Sequence, residues 1–455
     1  MRYLLLGAAF LLSILTEAKQ TIVKGVSTIP AQSVRAIVQS DLISGLETVV
    51  GRTKTDFKGE FDLSFEINEI QFVEIAIGLS RASFIAVPGA EYTVQFTMAK
   101  SAQRSYFDPP PLQMRIIKAT DGGINDQIER INFIYNAFVM ENFNALYRLG
   151  RVNLLDSLKM TMKSSLPNSL HPFVDKYQEY KFASLVPLAR KMNLRSVFET
   201  FFKDKDILYK NPEYMALFKE FFGVFLVNHR SISFDQFVLA VSNGNPAVDQ
   251  LLASEPMLSN SRQFRELVLL KLLRDNYHHP AIGRNTVKQL LTAINSNSSY
   301  LQHRQMATNI IRRQEHLAFN TPAPEILLKD YEGRLWSTHH EKKGVLIMFV
   351  REDCRVCEKE LAEIRTIYET QKSHYQFITI STKEGFDQYR SFFTSNRIDW
   401  PLLNLAEQLE LVETYNIRVF PEFILLLPEG KVAMAPAPAV EQNLEYHMNR
   451  LKRNY

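Results

Sequence analysis

Only two cysteines occur in the 455 residues, and they stand close together as Cys354-Arg-Val-Cys357. Two thiols at this spacing can bridge to each other, supply half of a zinc site, or exchange electrons with an outside thiol. No second cysteine pair exists to complete a zinc site of the four-cysteine kind. The run Gly344-Val-Leu-Ile-Met-Phe-Val350 is apolar and of strand length, and a helix-forming segment follows the first cysteine. Cys354 is therefore expected at a helix N-terminus, where free N–H groups and the helix dipole favour negative charge. A reactive thiolate needs such a setting.

The elements that must position the pair lie on both sides of it. A boundary at Thr321-Pro-Ala-Pro324 opens the region, and two short runs about Gly333 read as a hairpin. Strands are expected at 345–350, 375–381, 422–427 and 432–435, with helices at 354–369, 384–396, 405–415 and 440–451. Strands and helices alternating at these lengths predict an α/β sheet with helices on both faces.

Residues 321–455 resemble a thioredoxin-fold domain of the extracytoplasmic TlpA/ResA type. Three segments carry the resemblance: Cys354-Arg-Val-Cys357 at the end of a strand, Tyr415-Asn-Ile-Arg-Val-Phe-Pro421 before an apolar strand, and the opening Pro322-Ala-Pro-Glu-Ile-Leu-Leu-Lys-Asp before a Gly turn. The resemblance implies that Cys354, exposed near the helix amides, is the attacking thiolate, and that Cys357 resolves the mixed disulfide to close a Cys354–Cys357 bridge. It implies a cis Pro421 whose backbone edge, with Phe420, Arg355 and Val356, receives an extended substrate segment. Glu360, one helical turn past Cys357, matches an acid that tunes the cysteines in ResA-type proteins. A solvated glutamate in the polar run Glu358-Lys-Glu360 is the equal alternative. The family also implies protein thiols and disulfides as substrates, an upstream electron donor in the membrane, and no cofactor.

Several positions depart from thioredoxin: Asp353 replaces the tryptophan before the first cysteine, Arg355-Val356 the usual proline-containing dipeptide, and Met348 the buried acid of the preceding strand. Asp353 opposes thiolate formation and Arg355 favours it, so the direction of electron flow stays open. Peroxide reduction calls for a threonine three residues before the reactive cysteine, where Arg351 stands. A second reading also stays open, a scaffold protein in which the two cysteines form a static disulfide.

Upstream, residues 19–104 show short period-two runs separated by turns, clearest in Phe61, Leu63, Phe65 and Ile67, with turns at Asp56-Phe-Lys-Gly59 and Pro88-Gly89. They predict a β-sandwich, and they resemble the N-terminal modules that precede thioredoxin-like domains in exported bacterial proteins. Residues 105–120, with Asp108-Pro-Pro-Pro111, read as a linker. From 121 to 320 the period becomes 3.6, and prolines divide the region into eight to ten expected helices. The phenylalanines 198, 201, 202, 218, 221, 222 and 225 there are expected in the core rather than lining a groove. His278-His279 and His339-His340 lack the spacing of a metal site. The expected architecture is multidomain: an N-terminal all-β sandwich, a central all-α region and a C-terminal α/β thioredoxin fold.

Net charge is +4 from 53 basic and 49 acidic residues without blocks, which argues against nucleic acid as a partner. Met1-Arg-Tyr-Leu-Leu-Leu begins an apolar run ending in Thr16-Glu-Ala18, an expected signal peptide over 1–18. No later apolar run reaches the length of a membrane span. The mature chain is expected to work in the periplasm or another extracytoplasmic compartment, where disulfides persist.

Overall fold

A computed structural model describes residues 19–28, 32–98, 112–151, 153–167, 170–186, 194–228, 232–338, 342–405 and 408–452. The expected signal peptide, the triple proline near 110 and the pair His339-His340 lie outside these residues.

The N-terminal part consists of two four-stranded sheets, ordered β4-β1-β7-β8 and β3-β2-β5-β6. Their strands are β1 (Lys19–Ser27), β2 (Ser33–Gln39), β3 (Glu47–Lys54), β4 (Glu60–Ile67), β5 (Gln71–Ile77), β6 (Ser80–Ala86), β7 (Glu91–Met98) and β8 (Leu112–Ala119). In β4 every second side chain is buried, so Phe61, Leu63, Phe65 and Ile67 enter the core while the acids between them face water. Gly59 closes the turn before β4 at a φ of +82°, and a side chain there would strike Ser27 O. The expected linker ends earlier than its reading at 105–120: residues 112–119 form β8, which pairs antiparallel with β7. As an edge strand exposed on one face, β8 carries Gln113, Arg115 and Lys118 and shows little of the apolar signal of the strands inside.

Eleven helices follow among the described residues, against the eight to ten expected. They are α1 (Ile124–Tyr147), α2 (Asn153–Ser165), α3 (Pro172–Ala183), α4 (Leu194–Phe201), α5 (Pro212–Gly223), α6 (Phe225–Asn228), α7 (Phe234–Ser242), α8 (Asn245–Ala253), α9 (Arg262–Asp275), α10 (Arg284–Asn297) and α11 (Leu301–Glu315). Prolines open several of them: Pro212 sits in the first turn of α5, where its missing N–H costs nothing, and Asn211 caps the N–H groups of Glu213 and Tyr214. The seven phenylalanines are buried, and Phe222 stands within 6.2 Å, ring centre to ring centre, of Phe202, Phe218, Phe221, Phe225 and Phe264. The helical layer is joined to the sandwich at α1, where Asn125 donates to Ile85 O at 2.8 Å and accepts from Ile85 N at 3.0 Å.

The C-terminal part holds a hairpin, β9 (Leu327–Lys329) with β10 (Leu335–Ser337), and a five-stranded sheet ordered β13-β12-β11-β14-β15. Its strands are β11 (Gly344–Val350), β12 (Tyr375–Ser381), β13 (Leu402–Asn404), β14 (Glu422–Leu427) and β15 (Lys431–Ala437). β12 runs parallel to β11 and β13, whereas β14 is antiparallel to β11 and β15. β11 is buried along its whole length, as a central strand covered on both faces must be. Helices α12 (Arg355–Gln371), α13 (Phe386–Asn396), α14 (Leu411–Thr414) and α15 (Leu444–Lys452) complete it. Of the helix expected over 405–415, the described residues show the single turn of α14. The one expected from 440 begins as a 3₁₀ turn, Val440–Gln442, and restarts after Asn443, whose φ of 67° breaks the helical path.

Phe222→Ala removes a fully buried ring and is expected to cost about 3–5 kcal/mol, read as a lower urea midpoint at unchanged slope. A loss below about 1 kcal/mol would mean that the ring lines an open groove instead.

Candidate functional site

The site grows from the C-terminal ends of the central strands. β11 ends at Val350, and the chain turns through Arg351, Glu352 and Asp353 before α12. Asp353 has a φ of +52°, a left-handed conformation that a short polar side chain tolerates better than most. Its N–H donates to Gln388 Oε1 at 3.2 Å, and Gln388 Nε2 donates to Glu358 Oε1 at 2.9 Å, so α13 ties down both sides of the turn.

Cys354 is the capping residue of α12 rather than its first helical residue. The Cys357 N–H points at Cys354 Sγ from 3.1 Å, where a thiolate charge would reside. The two sulfurs are joined as a disulfide. The expectation of an exposed Cys354 is corrected: in this oxidised form only 1% of the residue is exposed, with its sulfur bonded to Cys357 and 3.8 Å from Phe420 O.

The Phe420–Pro421 peptide is cis and lies at the start of β14. The Phe420 ring is buried in the domain core, so this residue offers its carbonyl to the cysteines and not its side chain. Arg355 is exposed, Val356 half-buried, and Val419 exposed beside Phe420. Met348 is buried in β11 opposite Phe423.

Glu360 is not a solvated glutamate. It is 3% exposed, on the same helix face as Cys357, Leu361 and Ile364, and its Oε2 accepts the Val440 N–H at 3.1 Å. Burial raises its pKa above the ordinary carboxylate value, with Glu363 and Glu441 adding to the rise. The exposed member of that polar run is Lys359.

A second buried carboxylate went unnoticed in the sequence. Glu422 directly follows Pro421, and its Oε2 accepts the N–H groups of Arg418 at 3.3 Å and Val419 at 3.4 Å. Burial raises its pKa, and the two backbone N–H groups and Arg418 oppose the rise. An acid opening an otherwise apolar strand, Glu-Phe-Ile-Leu-Leu-Leu427, was the available signal. No cluster of three or more metal-ligating side chains occurs among the described residues.

Residues 319–435 match the family model described as AhpC/TSA family. The chain is similar to the thiol-disulfide oxidoreductase ResA of Geobacillus thermodenitrificans, 22% identical over 147 residues, covering 32% of this chain and 84% of the relative. ResA of Bacillus thuringiensis subsp. konkukian is 22% identical over 142 residues, covering 30% of this chain and 82% of that protein. Among solved structures, the thioredoxin domain of a thiol-disulfide oxidoreductase from Bacteroides vulgatus is 24% identical, covers 30% of this chain and 97% of that one, and has a TM-score of 0.26. StoA from Bacillus subtilis is 22% identical, with coverage of 28% and 98% and a TM-score of 0.24. The family match, the curated relatives and the strand–cysteine–helix arrangement all support a C-terminal region, centred on residues 319–435, that is similar to the thioredoxin-like proteins of the TlpA/ResA type.

Proposed function

We propose that this protein is a thiol-disulfide oxidoreductase that exchanges disulfides with exported proteins through Cys354 and Cys357. The observation that carries the reading is the Cys354–Cys357 disulfide at a helix N-terminus, with the Cys357 N–H aimed at Cys354 Sγ. An N–H donor at that sulfur favours the anion over the thiol. In the reduced state the Cys354 thiolate attacks one sulfur of a substrate disulfide. That S–S bond breaks, the departing sulfur takes a proton, and a mixed disulfide forms. Cys357, deprotonated, then attacks Cys354 Sγ, releases the second substrate thiol and closes the bridge. Two electrons and two protons pass to the substrate, and the same steps reversed oxidise a dithiol.

The exposed edge at Val419 and the Phe420 carbonyl, flanked by Arg355 and Val356, receives an extended substrate segment beside the pair. Pro421 has no N–H to compete for that segment's acceptors. Glu360, held neutral more readily than a surface acid, exchanges a proton with Cys357. The apolar leader and the cysteine pair support work outside the cytoplasm, where a donor in the membrane would return electrons. Among the described residues no helix is long and apolar enough to cross a membrane.

A redox titration of the wild type should show one reversible two-electron couple, together with catalysed reduction of insulin. Cys354→Ser should abolish both, and Cys357→Ser should accumulate mixed disulfides with exported proteins. Turnover that survives Cys354→Ser assigns the bridge a structural role. Because the folded pKa of Glu360 lies above 4.5, its contribution to stability is complete below that pH and is lost as pH rises through the folded value. Denaturation of the oxidised forms from pH 4 to 8 should therefore show the wild type losing stability relative to Glu360→Gln as pH rises. Parallel curves would remove Glu360 from the titrating groups.

A further inference from the structure

The segment that feeds the Phe420–Pro421 edge is gripped by the N-terminal sandwich. Arg418, two residues before Phe420, donates from Nη2 to Glu47 Oε1 at 2.6 Å, although Glu47 is the first residue of β3, 371 positions away. The other oxygen of Glu47 takes Arg81 Nη1 at 3.0 Å, and the same nitrogen reaches Glu74 at 2.8 Å. Arg81 Nη2 continues to Glu413 Oε1 at 3.3 Å, where it meets Arg35 Nη2 at 2.9 Å. Arg35 is 1% exposed, and it also donates to Gly78 O at 2.9 Å in the β5–β6 turn, whose Leu79 packs on the core of the redox domain. From the helical layer, Arg313 Nη2 donates to Asn416 Oδ1 at 3.2 Å.

Within this network Arg418, Glu47, Arg81, Glu74, Glu413 and Arg35 each face an opposite charge. Burial works against the ionised form of Glu47, yet Arg81 and Arg418 outweigh it and hold the carboxyl below its usual range. Lone surface pairs contribute little, but a half-buried network bridging two elements restricts their relative motion. The same short stretch is held from within by Glu422, which binds the N–H groups of Arg418 and Val419.

We infer that the sandwich is a functional part of the redox site, with Glu47 as a positioning residue that acts through Arg418 to hold the Val419–Phe420 edge ready for a substrate strand. Without the clamp the edge has to be ordered by the substrate as it binds, so affinity for an extended protein disulfide falls. The sulfur chemistry at Cys354 does not pass through Glu47 and stays as it is.

The inference rests on the thiol-disulfide reading, and the test separates the two in the full chain. For Glu47→Gln the KM for insulin should rise about three- to tenfold with kcat nearly constant, the yield of one hydrogen bond of ordinary net strength. The reaction of the oxidised protein with dithiothreitol and the midpoint potential should not change. In an Arg418→Gln background, Glu47→Gln should add nothing, because both act through one contact. Amide exchange at Arg418 and Val419 should also speed up in Glu47→Gln, and this readout holds whatever the substrate. An unchanged KM beside an active wild type, effects that multiply in the double variant, or unchanged amide exchange would each overturn the clamp. A wild type without Cys354-dependent turnover would fail the functional reading alone, leaving amide exchange to decide the clamp.

Discussion

The antiparallel register between β11 and β14 is the constraint on which the site depends. Phe349 lies opposite Glu422 and Met348 opposite Phe423, so the end of the strand leading to Cys354 and the start of the strand leaving Pro421 meet at one end of the sheet. A slip of one residue would turn every side chain of β14 to the opposite face and carry Phe420 away from the cysteines. The register is defended by bulk. Gly344, at the start of β11, has Tyr375 on one side and Leu426 O on the other, and a side chain there would strike the Tyr375 ring. The uninterrupted apolar run of β11 and the Leu-rich β14 are buried along their full lengths, and helices on both faces of the sheet lock them in place.

Around this end the fold has buried two carboxylates, and each has a partner that suits its position. Glu360 takes one N–H from Val440, 80 residues further along, and Glu422 takes two from the turn beside it. Burying a carboxylate is costly unless it is hydrogen-bonded, so acids in such places are candidates for a functional role. Glu360 lies one turn along the helix from Cys357, and Glu422 binds the turn that leads into the Phe420 carbonyl facing Cys354. Under the proposed function the two acids divide the site between proton chemistry and geometry.

The accessory regions are not appendages joined by a tether. Ile43 and Ile85 of the sandwich belong to the same apolar core as the helical layer, while Lys210 reaches back to Ser40 O and Gln71. On the other side the sandwich meets the redox domain through paired charges and Leu79. Apolar packing joins sandwich to helices and ion pairs join sandwich to redox domain, so the second interface is the more sensitive of the two to salt.

How much could be read in advance follows from which forces are local. The alternation of β4, the continuous apolar run of β11, the 3.6 period of α1 and the proline that opens α5 all depend on neighbours within a few residues, and those features were legible in the chain. The position of Cys354 at the junction of strand and helix was legible for the same reason. β8 was not, because an edge strand covered on one side has no need of an apolar pattern. Nor was the burial of Glu360 inside a polar run, since what covers it comes from residues 80 positions later. The pairing of Glu47 with Arg418 spans 371 positions and leaves no trace in either neighbourhood. Sequence by itself determined the elements whose pattern is local, and where the thiols stand. The burial of a charge and its choice of partner belong to the tertiary structure, because a charge's energy depends on everything packed around it and hydrophobic periodicity depends only on the segment that carries it.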